Sequence, residues 1–144
     1  MLKLSKKIDY GLMAISHIAY RGEDRAVNAR HIAEEYNIPT ELLAKILQRL
    51  AREGMITSQN GPKGGYILSR RPSEITVGQV IKAIEGPITI TECYKDEAMG
   101  CEQYDWCTVR SPIRKIQDTI SYLLDHMTIE EINQTAPLEI QSRC

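Results

Sequence analysis

Residues 28–54 read NARHIAEEYNIPTELLAKILQRLAREG, and residues 55–69 continue MITSQNGPKGGYILS. Asn28 is a good N-cap because its side-chain oxygen can accept a first-turn N–H, and Ala29, Ile32, Ala33 and Tyr36 follow at helical spacing. Asn37 tolerates the left-handed backbone that closes a helix. Pro39 and Thr40 open the next helix, with Leu42, Leu43, Ile46, Leu47 and Leu50 on one broad face, and Gly54 stops it. Two helices joined by about four residues form a helix-turn-helix. After Gly54 the period shortens, and residues 55–58 and 66–69 read as two strands around the glycine-rich loop that begins at Asn60. A hairpin directly behind a helix-turn-helix is a wing. Its glycines let backbone approach a phosphate, and Lys63 puts a cation at its tip.

Upstream, Ser5 caps a helix with Ile8, Leu12, Ile15 and Ala19 on one face, which Gly22-Glu23-Asp24 ends. Downstream, Thr76 and Gln79 form a capping box for a helix through Val77, Val80, Ile81 and Ile84, stopped by Gly86-Pro87. Residues 88–110 lose any period and hold Cys93, Cys101 and Cys107. Ser111 and Pro112 read as a cap and a first-turn proline for a long helix striped by Ile113, Ile116, Ile120, Leu123, Leu124 and Met127. That stripe lies close to a heptad seam, so it packs on its own domain or pairs with a second chain. Thr128 and Glu131 cap a short last helix, and the tail to Cys144 has no pattern. The expected fold is mainly α with a small β-wing, a winged helix-turn-helix plus a long C-terminal dimerisation helix. The expected division is a DNA-binding domain over residues 1–75, a linking helix and cysteine-rich loop over 76–110, and a dimerisation helix and tail over 111–144.

The 144 residues carry a net charge of -1, yet residues 1–71 hold 12 basic and 7 acidic side chains against 6 and 12 in the remainder. A polyanion would therefore meet the first half alone. If the helix opened by Pro39 enters a major groove, the face away from its leucines carries Thr40, Glu41, Ala44, Lys45, Gln48 and Arg52. Lys45 and Gln48 can read base edges, while Arg49, Arg52 and Lys63 can neutralise phosphates. No apolar run is long enough to span a bilayer and no secretory signal opens the chain, so a cytoplasmic protein with reduced thiols is expected.

The gaps between Cys93, Cys101 and Cys107 depart from the CxxC pairs of structural zinc sites. Three thiolates in one loop suit an iron-sulfur cluster, two-iron or four-iron, which wants a fourth ligand. Asp9, Glu102, a histidine, Cys144 or a small molecule could supply it, and spacing does not choose. There is no phosphate-binding loop, dinucleotide fingerprint, HExxH or nucleophile elbow, and His17, His31 and His126 sit on helices as packing or surface residues, so no enzyme is expected.

Four stretches then take on a joint meaning: residues 4–10 (LSKKIDY), residues 61–66 (GPKGGY), residues 76–81 (TVGQVI) and the three-cysteine loop before the long helix. Together they resemble the winged-helix regulators of the IscR, NsrR and RirA type, the Rrf2 superfamily, over residues 4–132. The resemblance implies a homodimeric bacterial transcription factor whose long C-terminal helices pair along the stripe from Ile113 to Met127. It implies a palindromic operator in double-stranded DNA, and an iron-sulfur cluster held by Cys93, Cys101 and Cys107. In the IscR branch a histidine three residues after the last cysteine completes the set, and here that residue is Arg110. In the NsrR branch an aspartate of the first helix, reaching over from the other subunit, does so, and Asp9 matches it. Relatives often carry an arginine before the wing's Gly-Pro where this chain has Asn60, which leaves phosphate contact through Lys63. The implied mechanism has two states, with cluster loss or modification by oxygen, nitric oxide or iron shortage altering operator affinity. Two rivals are a cluster-free thiol-switch regulator and an iron-sulfur carrier or electron-transfer protein that does not bind DNA.

Overall fold

A computed structural model describes residues 2–21, 25–94 and 101–135. The expected helix stop at Gly22-Glu23-Asp24 and the tail with Cys144 lie outside the described residues. Most of the helices form where local signals placed them. α1 spans Lys6–Arg21, with the Ser5 hydroxyl accepting from the Ile8 N–H at 3.4 Å. α2 spans Ala29–Glu35, with the Asn28 side chain accepting from the Arg30 N–H at 2.8 Å. Asn37 takes φ 52, and α3 follows over Thr40–Arg52 with Pro39 at its N-cap. Gly54, at φ 76, supplies the left-handed residue that stops it.

The wing is the antiparallel pair β1 (Ile56–Gln59) and β2 (Gly65–Leu68), in register Ile56 to Leu68 and Gln59 to Gly65. Each strand sits one residue away from its expected span. Met55, just before the first strand, is 1% exposed and plugs the core at the end of α3, its N–H bonded to the Leu50 carbonyl while its own carbonyl accepts from the Ser69 N–H. A third backbone segment joins the wing: Val27 and Tyr66 exchange both hydrogen bonds, at 2.9 and 2.8 Å. A Cβ on Gly65 would lie 2.4 Å from the Val27 carbonyl oxygen. That glycine is small so that the chain leading into α2 can reach the wing, a role within the protein that the phosphate-approach reading did not include.

α4 spans Val77–Glu85 behind the Thr76 and Gln79 capping box. α5 spans Arg110–His126, and α6 spans Ile129–Thr135 behind the Thr128 and Glu131 pair. α5 begins one residue before the expected cap: Val109 is the N-cap and Ser111 already lies in the first turn. The extra residue is held from behind, since the Arg110 guanidinium donates to the Tyr104 carbonyl at 3.0 Å and lies over the Tyr104 ring.

One apolar core runs through α1, α2, α3, α4 and α6, from Ile8, Ile15 and Ile18 through Leu43, Leu47 and Leu50 to Val80, Ile84 and Ile129. It crosses the expected boundary at residues 75 and 76 without a break. The chain also returns on itself there, because Val77 N–H bonds to the Met127 carbonyl and Ile129 N–H to the Ile75 carbonyl, both at 2.9 Å. α5 is the exception. Gln117 is its one buried residue, and Ile116, Leu123 and Met127 of the stripe are 52%, 57% and 36% exposed. No helix among the described residues is long and apolar enough to cross a membrane.

Candidate nucleic-acid interface and cysteine segment

α3 buries Leu43, Ile46, Leu47 and Leu50, which turns the opposite face to solvent. Thr40, Glu41, Lys45, Gln48 and Arg52 are exposed there, with Ala44 half-buried among them. Spacings of four, three and four from Glu41 to Arg52 set one row along the helix, narrow enough for a major groove that admits a single helix. Asn60 and Lys63 are exposed at the wing tip. Among the described residues, Lys45, Arg52 and Lys63 enter no ion pair, so their charge is available to an external anion.

Arg49 departs from this row. Its guanidinium donates to the Ile84 carbonyl, at the last turn of α4. The last carbonyls of a helix lack intrahelical partners and carry partial negative charge, which draws a cation to them. Arg49 and Arg52 line an open polar cavity of about 630 Å³ with Lys7, Glu53 and Glu85. Beneath α2 sits His17, which is buried, bonds to the Tyr36 hydroxyl at 2.9 Å through Nδ1, and leaves Nε2 buried with no hydrogen-bond partner among the described residues. Burial lowers its pKa below the ordinary 6.5, with Arg21 and His31 adding to the effect and Glu35 opposing it.

The described residues of the cysteine segment form two short 3-10 turns, Glu92–Tyr94 and Tyr104–Trp106. Cys93, Cys101 and Cys107 are free, half-buried thiols. Cys93 Sγ donates to the Thr91 hydroxyl at 3.4 Å, and Cys101 Sγ to the Gln103 side-chain oxygen at 3.9 Å. Trp106, beside Cys107, is 85% exposed. Asp9 is half-exposed on the first turn of α1, 3.7 Å from the Lys6 ammonium. Among the described residues no three His, Cys, Asp or Glu side chains are gathered as a metal would require. The donor chemistry suits an iron-sulfur cluster, three thiols free of any disulfide, while among the described residues they are not gathered to one point.

Sequence reasoning did not single out Gln117. It is 1% exposed and meets the backbone of residues 88–90, three residues before Cys93. An amide in the buried flank of an apolar stripe was the available signal.

The family model described as an iron-dependent transcriptional regulator, Rrf2, matches residues 4–135. The chain belongs to the Rrf2 family. It is 32% identical over 143 residues to the HTH-type transcriptional regulator IscR of Yersinia enterocolitica, covering 99% of this chain and 86% of that protein. It is 30% identical to the IscR of Pectobacterium carotovorum with the same coverage. Among solved structures it is similar to CymR, the global cysteine regulator of B. subtilis, with a TM-score of 0.78 and 30% identity over 95% of this chain and all of that one. The IscR of T. potens superposes with a TM-score of 0.76 and 27% identity, over 96% of this chain and 90% of that one. This Rrf2 protein is therefore a DNA-binding transcriptional regulator with the mainly helical winged fold that its sequence led us to expect.

Proposed function

We propose that this Rrf2 protein is a homodimeric cytoplasmic repressor or activator that reads a palindromic operator through α3 and the wing, and senses iron-sulfur cluster, redox or nitric oxide status through Cys93, Cys101 and Cys107. The observation that carries the reading is the run from three free thiols directly into α5, whose apolar stripe leaves Ile116, Leu123 and Met127 exposed to solvent. A second α5 is the natural cover for that stripe, and two-fold symmetry then sets two α3 helices against two half-sites about one helical turn apart. Thr40, Glu41, Lys45 and Gln48 face base edges, Arg52, Asn60 and Lys63 the strand backbone, and Arg49 buttresses α3 from behind.

Cys93, Cys101 and Cys107 would hold the cluster, with Asp9 of the second subunit as the fourth ligand. When bound, the group supplies a thiolate-ligated centre whose integrity depends on iron supply and oxidants. The chain's own part is mechanical. Drawing residues 93–107 together fixes the start of α5 relative to α4, and α4 is joined to α3 through Arg49 and to α5 through the Lys82 and Asp125 pair at 3.1 Å. Operator affinity then differs between the two states of the segment.

The test is anaerobic purification followed by an absorption spectrum with iron and sulfide counts, for wild type and Asp9→Ala, and duplex binding of loaded and stripped protein at matched salt. Stoichiometric iron and sulfide, an altered spectrum in Asp9→Ala and unequal affinities support the reading. Equal affinities overturn it. The similarity to CymR, whose solved structures include an oxidised form from Staphylococcus aureus, favours a second reading in which the same cysteines act as a cluster-free thiol switch. A colourless, iron-free protein that still binds DNA selects that one. The regulators found as relatives weigh against a carrier that does not bind DNA.

A further inference from the structure

Gln117 is one of two buried polar side chains among the described residues, and both its amide oxygen and its amide nitrogen are hydrogen-bonded. Its oxygen accepts from the Ile90 N–H at 2.6 Å, and its nitrogen donates to the Ile88 carbonyl at 2.8 Å and to the Ser121 hydroxyl at 3.0 Å. The backbone of residues 88–90 is thus pinned to the middle of α5 by one side chain. The same short stretch begins at the end of α4, where Ile84 takes the guanidinium of Arg49 from α3. Residues 84–90 are therefore held at one end by the helix that faces DNA and at the other by the helix that carries the apolar stripe. Cys93 follows three residues later, with its thiol on the Thr91 hydroxyl. An apolar side chain would fill the Gln117 position without needing three aligned partners, and a buried amide that loses a partner is penalised. A displacement of Cys93 toward other ligands acts on Ile90 through two intervening residues, and the amide contacts of Gln117 join Ile90 to α5.

We propose that Gln117 is a positioning residue that transmits the chemical state of the cysteine segment to α5 and, through residues 84–90 and Arg49, to α3. The proposal rests on the reading of residues 93–107 as sensory and names the contact by which that segment acts.

The test uses the full chain carrying Cys144→Ser, a duplex selected by that protein from a random-sequence library, and N-ethylmaleimide as the agent that changes the cysteine segment. Alkylation is expected to shift duplex affinity by about tenfold, within the usual range of allosteric coupling. Gln117→Met, which keeps the side-chain length and removes the hydrogen bonds, should bind like its parent before alkylation and show almost no shift after it. A residue that merely stabilised the fold would lower affinity in both states and leave their ratio intact, and an intact ratio overturns the proposal. Hydrogen exchange at the Ile90 amide of the parent gives a second readout that survives if Gln117→Met does not fold. Protection there is expected to fall by about tenfold on alkylation, as a local opening would. Unchanged protection alongside a changed affinity overturns the proposal alone, whereas a parent whose affinity ignores alkylation overturns the sensory reading and this proposal with it.

Discussion

Arg49 of α3 donates its guanidinium N–H to the main-chain carbonyl of Ile84 in the last turn of α4, 35 residues further along the chain. Sequence reasoning assigns Arg49 a role in neutralising phosphates, while this contact fastens α3 to the end of α4.

Arg49→Ala should therefore weaken duplex binding by misplacing α3 while leaving the salt dependence of binding unchanged, and should lower stability by about 1–3 kcal/mol, as for a lost partner of a partly buried carbonyl. Titrations at several salt concentrations and a thermal melt check it. A slope shallower by about 0.9 would mean that Arg49 neutralises a phosphate after all.

Lys63→Ala should behave in the opposite way. The side chain is exposed at the wing tip, so the melt should be unaltered while the logarithmic salt slope falls by about 0.9 for one lost phosphate contact. An unchanged slope would remove Lys63 from the interface.

Gly65→Ala tests the bridge between the wing and the chain leading into α2. The added Cβ would meet the Val27 carbonyl oxygen at 2.4 Å, so backbone must shift, at a cost of about 1–3 kcal/mol or more. Thermal unfolding should move down by several degrees, and a wild-type melt would mean that the bridge is dispensable.

Ile116→Asp combined with Leu123→Asp should leave the chain folded by circular dichroism and monomeric by sedimentation, because both side chains are more than half exposed and touch little of their own chain. Duplex affinity should fall with the loss of the second half-site contact. A dimer that persists would mean that another surface joins the subunits.

His17 should make the fold acid-sensitive. Burial, with Arg21 and His31 nearby, lowers its pKa below the ordinary 6.5, so the unfolded chain binds that proton more readily than the folded one. Its contribution to stability is present above pH 6.5 and is lost as pH falls through 6.5 to the lower folded value. Melts of wild type over about pH 5–8 should show this decline, and His17→Gln should flatten it. A variant with the full decline would assign the titration to another group.

Much of the fold was legible because its signals are local. Asn28, Asn37, Pro39, Gly54 and the Thr76 and Gln79 box each act within a few residues of themselves, and the structure uses each where the sequence suggests. The misses share a different cause. Val27 pairs with Tyr66 across 39 residues, Met55 puts its side chain into the core at the end of α3, and Arg110 takes the helix start from Ser111 because Tyr104 holds it. Gln117 drew no reading at all, since periodicity does not say that residues 88–90 will cross its flank of α5. The cysteines were legible as donors and not as a geometry, because no local rule brings three half-buried thiols to one point.

Trp106 is the only tryptophan of the chain and stands almost wholly in solvent next to Cys107. Its indole therefore emits without competition from any other, at the long wavelengths of a water-exposed ring, within one residue of a thiol. Oxidation, alkylation or metal capture at Cys107 would be written into that emission as quenching or a colour shift. The molecule carries its own optical gauge for the segment on which its regulation is proposed to turn.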